Sequence, residues 1–146
     1  MRSVVLALAL TLAAAPAAHA GDPLLDFIKR VDAKAKGDMD RFHETVSQQF
    51  GVPVVQVRAV TGGIGDPGQA FMLFQLGHWS HQPIERVLTV YDSHKKKGWG
   101  AMAKELGIQP GSAEFHALKK GDLHYGVARA SGKDSDKGKG PKPKKK

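Results

Sequence analysis

Gln69-Ala70-Phe71-Met72-Leu73-Phe74-Gln75-Leu76-Gly77 is the stretch on which the fold turns. Ala70, Phe71, Leu73, Phe74 and Leu76 leave it apolar on nearly every side. A helix of that kind is stable only when other helices cover it all round. The segment therefore predicts a central helix, and the rest of the chain has to supply its cover.

Just upstream, Thr61–Gly68 reads TGGIGDPG, the most glycine-rich stretch of the body. Glycines ahead of a helix N-terminus can present backbone N–H groups to a phosphate. This run lacks the Lys-Ser/Thr pair of a P-loop and the spacing of a dinucleotide fingerprint. Asp66 would also put a carboxylate where the anion has to sit. The stretch reads as a turn, with Asp66 as cap and Pro67 at the first helical position.

Further out, each segment carries helical spacing and its own punctuation. Asp22-Pro23 opens a first helix over Pro23–Lys36, with Leu24, Phe27, Ile28, Val31 and Ala35 on one face. Asp38 caps a second, marked by Met39, Phe42, Val46 and Phe50 and ended by Gly51. Pro53–Val60 is read as a short third helix, although β-branched Val54, Val55, Val57 and Val60 would equally suit a strand. Downstream, Pro83 opens a helix with Ile84, Val87, Leu88 and Tyr91 aligned, and Trp99, Met102, Ala103 and Leu106 repeat that spacing. Ser112 caps a last helix containing Phe115 and Leu118 and ended by Gly121. Leu123–Val127 is too short to assign. The expected architecture is all-α, a small orthogonal bundle of about six short helices joined by short connections.

The termini differ from this body. Arg2, an apolar run from Val4 to Ala15 and the small-x-small triplet Ala18-His19-Ala20 read as a signal peptide over residues 1–20, leaving a mature chain that starts at Gly21. The apolar run is shorter than the roughly twenty residues that span a bilayer, so no transmembrane segment is expected after processing. The chain has no cysteine, hence no disulfide and no lipidated thiol. From Arg129 to Lys146 eight Lys or Arg face only Asp134 and Asp136, a charge of +6, whereas residues 21–128 carry +1. The high isoelectric point thus belongs to the tail. A segment reading SGKDSDKGKGPKPKKK has no large apolar side chain to offset the entropy of ordering, so residues 129–146 read as disordered.

The run Lys97-Gly98-Trp99-Gly100-Ala101-Met102-Ala103-Lys104-Glu105-Leu106-Gly107-Ile108, followed by Pro110-Gly111-Ser112 and Glu114-Phe115-His116-Ala117-Leu118-Lys119, resembles the signature of an uncharacterised family of exported proteobacterial helical proteins. The resemblance reaches back to about Gly51. It implies an exported helical protein and carries over no catalytic residue. Ala103–Ile108, a turn and Ser112–Leu118 also resemble the cadence of a helix-turn-helix. Glu114 would stand near the start of the second helix and repel phosphate, with Lys119 and Lys120 only at its far end, so no specific DNA site is expected.

Catalytic templates are missing. There is no G-x-S-x-G elbow, no H-E-x-x-H and no cysteine nucleophile, and the carboxylates read as caps and solvated faces rather than as pairs. His78 and His81 stand at i, i+3 and are the weak candidates for metal ligands, but a site needs a third or fourth donor. His116, between Phe115 and Leu118, reads as a half-buried structural histidine. Trp99 reads as a core anchor from its spacing to Met102, Ala103 and Leu106, with Gly98 and Gly100 allowing close helix approach, and Trp79 as partly exposed. The expectation is a non-catalytic periplasmic or secreted envelope protein with no cofactor. Lys142, Lys144, Lys145 and Lys146 would tether it to anionic envelope polymers, acidic lipids or extracellular nucleic acid. The alternatives are a small periplasmic enzyme or metal-dependent module using histidines, and a helix-turn-helix-like nucleic-acid binder.

Overall fold

A computed structural model describes residues 21–126. The signal-peptide reading of residues 1–20, the end of the body and the basic tail with Lys142, Lys144, Lys145 and Lys146 lie outside the described residues. Among the described residues seven helices follow one another: α1 Pro23–Gly37, α2 Met39–Phe50, α3 Val54–Ile64, α4 Pro67–Ser80, α5 Ile84–His94, α6 Trp99–Glu105 and α7 Ala113–Lys120. No strand occurs among the described residues, and no helix there is long and apolar enough to cross a membrane.

The punctuation acts where it stands. Asp22, Asp38, Asp66 and Ser112 each accept a hydrogen bond from a backbone N–H of the helix they precede. Each thereby satisfies one of the first-turn donors that have no partner inside the helix. Gly51, Gly65 and Gly121 end helices in the left-handed conformation.

The β-branched run Val54–Val60 is helical, and the third helix runs on past Val60 through Thr61, Gly62 and Gly63 to Ile64. Thr61 is buried and its hydroxyl donates to the Val57 carbonyl at 2.8 Å, so it belongs to the helix rather than to a turn. Gly62 and Gly63 occupy its solvent side. The glycine-rich turn thus shrinks to Gly65 and the Asp66 cap.

α4 is the axis of the bundle, with α1, α2, α3 and α5 packed around it. Ala70, Phe71, Met72, Leu73 and Leu76 lose all contact with solvent. Removing a large apolar side chain from water contributes about 1.5–3 kcal/mol, so this helix holds a large share of the folding free energy. Phe71 meets Phe27 of α1 at 5.5 Å and Phe50 of α2 at 5.4 Å between ring centroids. α4 approaches α1 closely at Gly68, where a Cβ would stand 2.6 Å from the Ile28 carbonyl oxygen.

Past α7 the chain returns across α1 and α2. Leu123 is buried, Tyr125 stacks on Phe42 at 5.8 Å, and the Gln49 side chain donates to the His124 carbonyl and accepts from the Gly126 N–H.

Candidate functional site

The approach at Gly68 brings together two carboxylates far apart in sequence. Asp66 caps α4: one of its oxygens accepts from the Gln69 backbone N–H at 3.0 Å, the other from the Gln69 amide at 3.2 Å. Asp32, in the middle of α1, accepts from the Gly68 N–H at 2.6 Å and lies within hydrogen-bonding reach of Asp66. The expectation that carboxylates stand as isolated caps and solvated faces is therefore corrected at this pair.

Two carboxylates this close titrate together, and their surroundings decide which protonates first. Burial raises the Asp32 pKa above the usual carboxylate range, and the neighbouring Asp66 charge pushes the same way against the Gly68 hydrogen bond. Burial also acts upward on Asp66, but the hydrogen bonds it accepts from the Gln69 backbone, from Asp32 and from the Gln69 side chain outweigh it, and its pKa falls. On acidification Asp32 takes the first proton, and its hydroxyl can then donate a hydrogen bond to the Asp66 carboxylate.

The chain of hydrogen bonds extends one residue further. The Tyr91 hydroxyl of α5 donates to the Gln69 amide oxygen at 2.7 Å, which orients the amide so that its nitrogen faces Asp66. Burial, followed by the charges of Asp66 and Asp92, holds the Tyr91 phenol above its usual pKa, so it remains a donor.

This polar chain edges a cavity of about 390 Å³ bounded by α1, α4, α5 and α6, with Leu25, Ile28, Trp99 and Met102 as its apolar walls and Lys29 and Lys95 among its lining. Trp99 is half-buried rather than fully in the core: it is the first residue of α6, after the Gly98 cap, and it packs on the edge of the core while lining the cavity beside Tyr91, their rings 6.3 Å apart. Gly98 does not serve close packing either, since a Cβ there would meet nothing within 4 Å; its φ of +89° is what requires glycine.

The histidines fall elsewhere. His78 lies exposed in the last turn of α4 with the Phe50 ring 5.8 Å away, and His81 ends that helix in the left-handed conformation. Both line a separate cavity of about 400 Å³ with Phe50, Phe74 and Glu85. Among the described residues no group of three or more His, Cys, Asp or Glu is placed to hold a metal ion. His116 is exposed rather than half-buried, because it projects from the outer side of α7 between the inward Phe115 and Leu118. Trp79 is partly exposed, as its position at a helix end implies.

Asp32 carried a signal in the sequence. It stands four residues after Ile28 and three before Ala35, both buried, so it lies on the inner stripe of α1 where a charge needs a partner. Its partner could not be read, because nothing local pairs α1 with the start of α4. Comparison of the chain with protein-family models, with curated proteins and with solved structures gave no match.

Proposed function

We propose that the chain is a non-catalytic exported envelope protein whose helical body is a scaffold and whose lysine tail holds it against anionic polymers or membrane surfaces. The observation that carries this reading is the segregation of charge: +6 within residues 129–146 against +1 over residues 21–128. A body in which acidic and basic side chains nearly cancel exerts little long-range attraction on a polyanion. Lys142, Lys144, Lys145 and Lys146 in five residues concentrate it instead, with Pro141 and Pro143 favouring an extended backbone. The Arg2, Val4–Ala15 and Ala18-His19-Ala20 pattern supports export to the periplasm or beyond, as does the resemblance of the Lys97–Lys119 region to exported proteins.

Such binding gains its free energy from counterion release, so it is insensitive to polymer sequence and falls steeply with salt. The test is retention of the mature chain, and of a form ending at Ala130, on an anionic matrix between about 50 and 300 mM salt, over which the Debye length falls by more than half. Retention of the full chain alone, lost at the upper salt, is the expected result. Equal behaviour of both forms at every salt concentration overturns the reading.

A further inference from the structure

We propose that the Trp99 cavity is a saccharide-binding site, taking a short neutral oligosaccharide whose ring lies on the indole. This inference concerns the body alone and does not depend on the tail. Its volume of about 390 Å³ falls in the range of small-ligand sites, and it combines apolar walls with a few convergent polar groups. Trp99, half-buried at the start of α6 beside Tyr91 at an interplanar angle of 31°, lines the cavity with an aromatic ring. A sugar ring offers the matching surface, a face of C–H groups edged by hydroxyls that both donate and accept.

The rest of the lining meets those hydroxyls. Lys29 and Lys95 supply donors and the Asp32 carboxyl an acceptor, while the Tyr91–Gln69–Asp66 hydrogen bonds fix the wall behind it. An organic cation fits less well. Lys95 already lies over the Tyr91 ring at 5.6 Å, and with Lys29 it sets positive charge against an organic cation. Glycosidase carboxyls stand roughly 5–9.5 Å apart to admit the anomeric carbon or a water, whereas Asp32 and Asp66 lie within hydrogen-bonding reach of each other, a spacing that does not suit hydrolysis. The pair is placed to bind rather than to cut.

The test uses the isotopically labelled chain from Gly21 to Lys146, following the amide signals of Gln69, Lys95 and Gly98, three residues that line the cavity. Cellotriose and N,N′,N″-triacetylchitotriose are titrated to about 20 mM, a ceiling set by the weak affinity expected of a small, partly open site, with tetramethylammonium as the competing probe. Saturable shifts of these three signals with at least one trisaccharide are expected, weakened tenfold or more by Trp99→Leu, which keeps apolar packing and removes the aromatic face. Gly62→Ala, on the solvent side of α3 and outside the cavity lining, is the control for folding and should leave the affinity unchanged. No saturable shift with either sugar, a response unaltered in Trp99→Leu, or a response to tetramethylammonium that Asp32→Asn abolishes each overturns the proposal.

Discussion

His43 stands on the inward side of α2, next to Phe42 and Val46, with only 7% of its surface exposed. Its Nδ1 is buried without a hydrogen-bond partner. A buried nitrogen of this kind costs about 1–3 kcal/mol of desolvation that no bond returns. Protonation makes matters worse: burial first, and the Arg58 charge of α3 second, hold the imidazole pKa below its ordinary 6.5, with Asp40 opposing more weakly. The sign follows from linkage. A depressed folded pKa gives stability that is complete above about 6.5 and is lost as pH falls toward the folded value, because the unfolded chain takes the proton first. His43→Leu should therefore raise stability at pH 7 by about 1 kcal/mol or more. It should also flatten the decline between about pH 6.5 and 5, a range set by the ordinary histidine value. Urea melts of both forms across this range decide it, and parallel pH profiles would show that other groups govern the acid limb.

At the scale of the helices, glycines of two kinds make opposite predictions. Gly68 lies where α4 presses on α1, and a Cβ there would sit 2.6 Å from the Ile28 carbonyl oxygen and 2.8 Å from its Cγ2. A backbone oxygen cannot rotate away, so the two helices have to separate. Gly68→Ala should cost about 1–3 kcal/mol, the usual range for overpacking, in spite of the roughly 1 kcal/mol by which alanine favours a helix. Gly62, on the open side of α3, would meet nothing within 4 Å, so Gly62→Ala should stabilise by about 0.5–1 kcal/mol. Thermal melts of the two variants should move in opposite directions, and a shared sign would mean that α1 and α4 are not in contact at Gly68. The same contrast explains what the sequence could and could not show. Caps such as Asp22, Asp38, Asp66 and Ser112 are legible because each acts on a neighbour two or three residues away. The Ala70–Leu76 run, apolar but for Gln75, is legible as a central helix because its surroundings follow from its surface. The Asp32–Asp66 pair and the cavity beside it depend on one close crossing of helices more than thirty residues apart, and a glycine that permits such a crossing reads like a glycine in a turn.

For the molecule as a whole, the question is where the folded body stops. The last described segment is tied to both α1 and α2: Leu123 is buried, Tyr125 packs on Phe42 and Phe71, and Lys34 lies over the Tyr125 ring at 5.7 Å. Gln49 holds the backbone on either side of Tyr125, donating to the His124 carbonyl at 2.9 Å and accepting from Gly126 at 3.0 Å. Gly121 makes this return possible. Its φ is +63°, and any Cβ there would run into the Pro23 carbonyl at the start of α1, so the end of α7 closes directly on the beginning of the bundle. Beyond Ala130 the sequence supplies no large apolar side chain with which to add to this packing. Two truncations therefore separate the body from the tail. Ending the chain at Ala130 removes most of the basic charge and should leave the melting temperature and helical circular-dichroism signal almost unchanged. Ending it at Asp122 uncovers Phe42 and Phe71, removes a buried leucine and strips Gln49 of both partners. It should cost at least the roughly 2–5 kcal/mol lost when a core leucine alone is cut back to alanine. A drop of several degrees for the longer form would show that the lysine segment packs on the body. An unchanged melt for the shorter form would show that Leu123–Gly126 contributes nothing to the core.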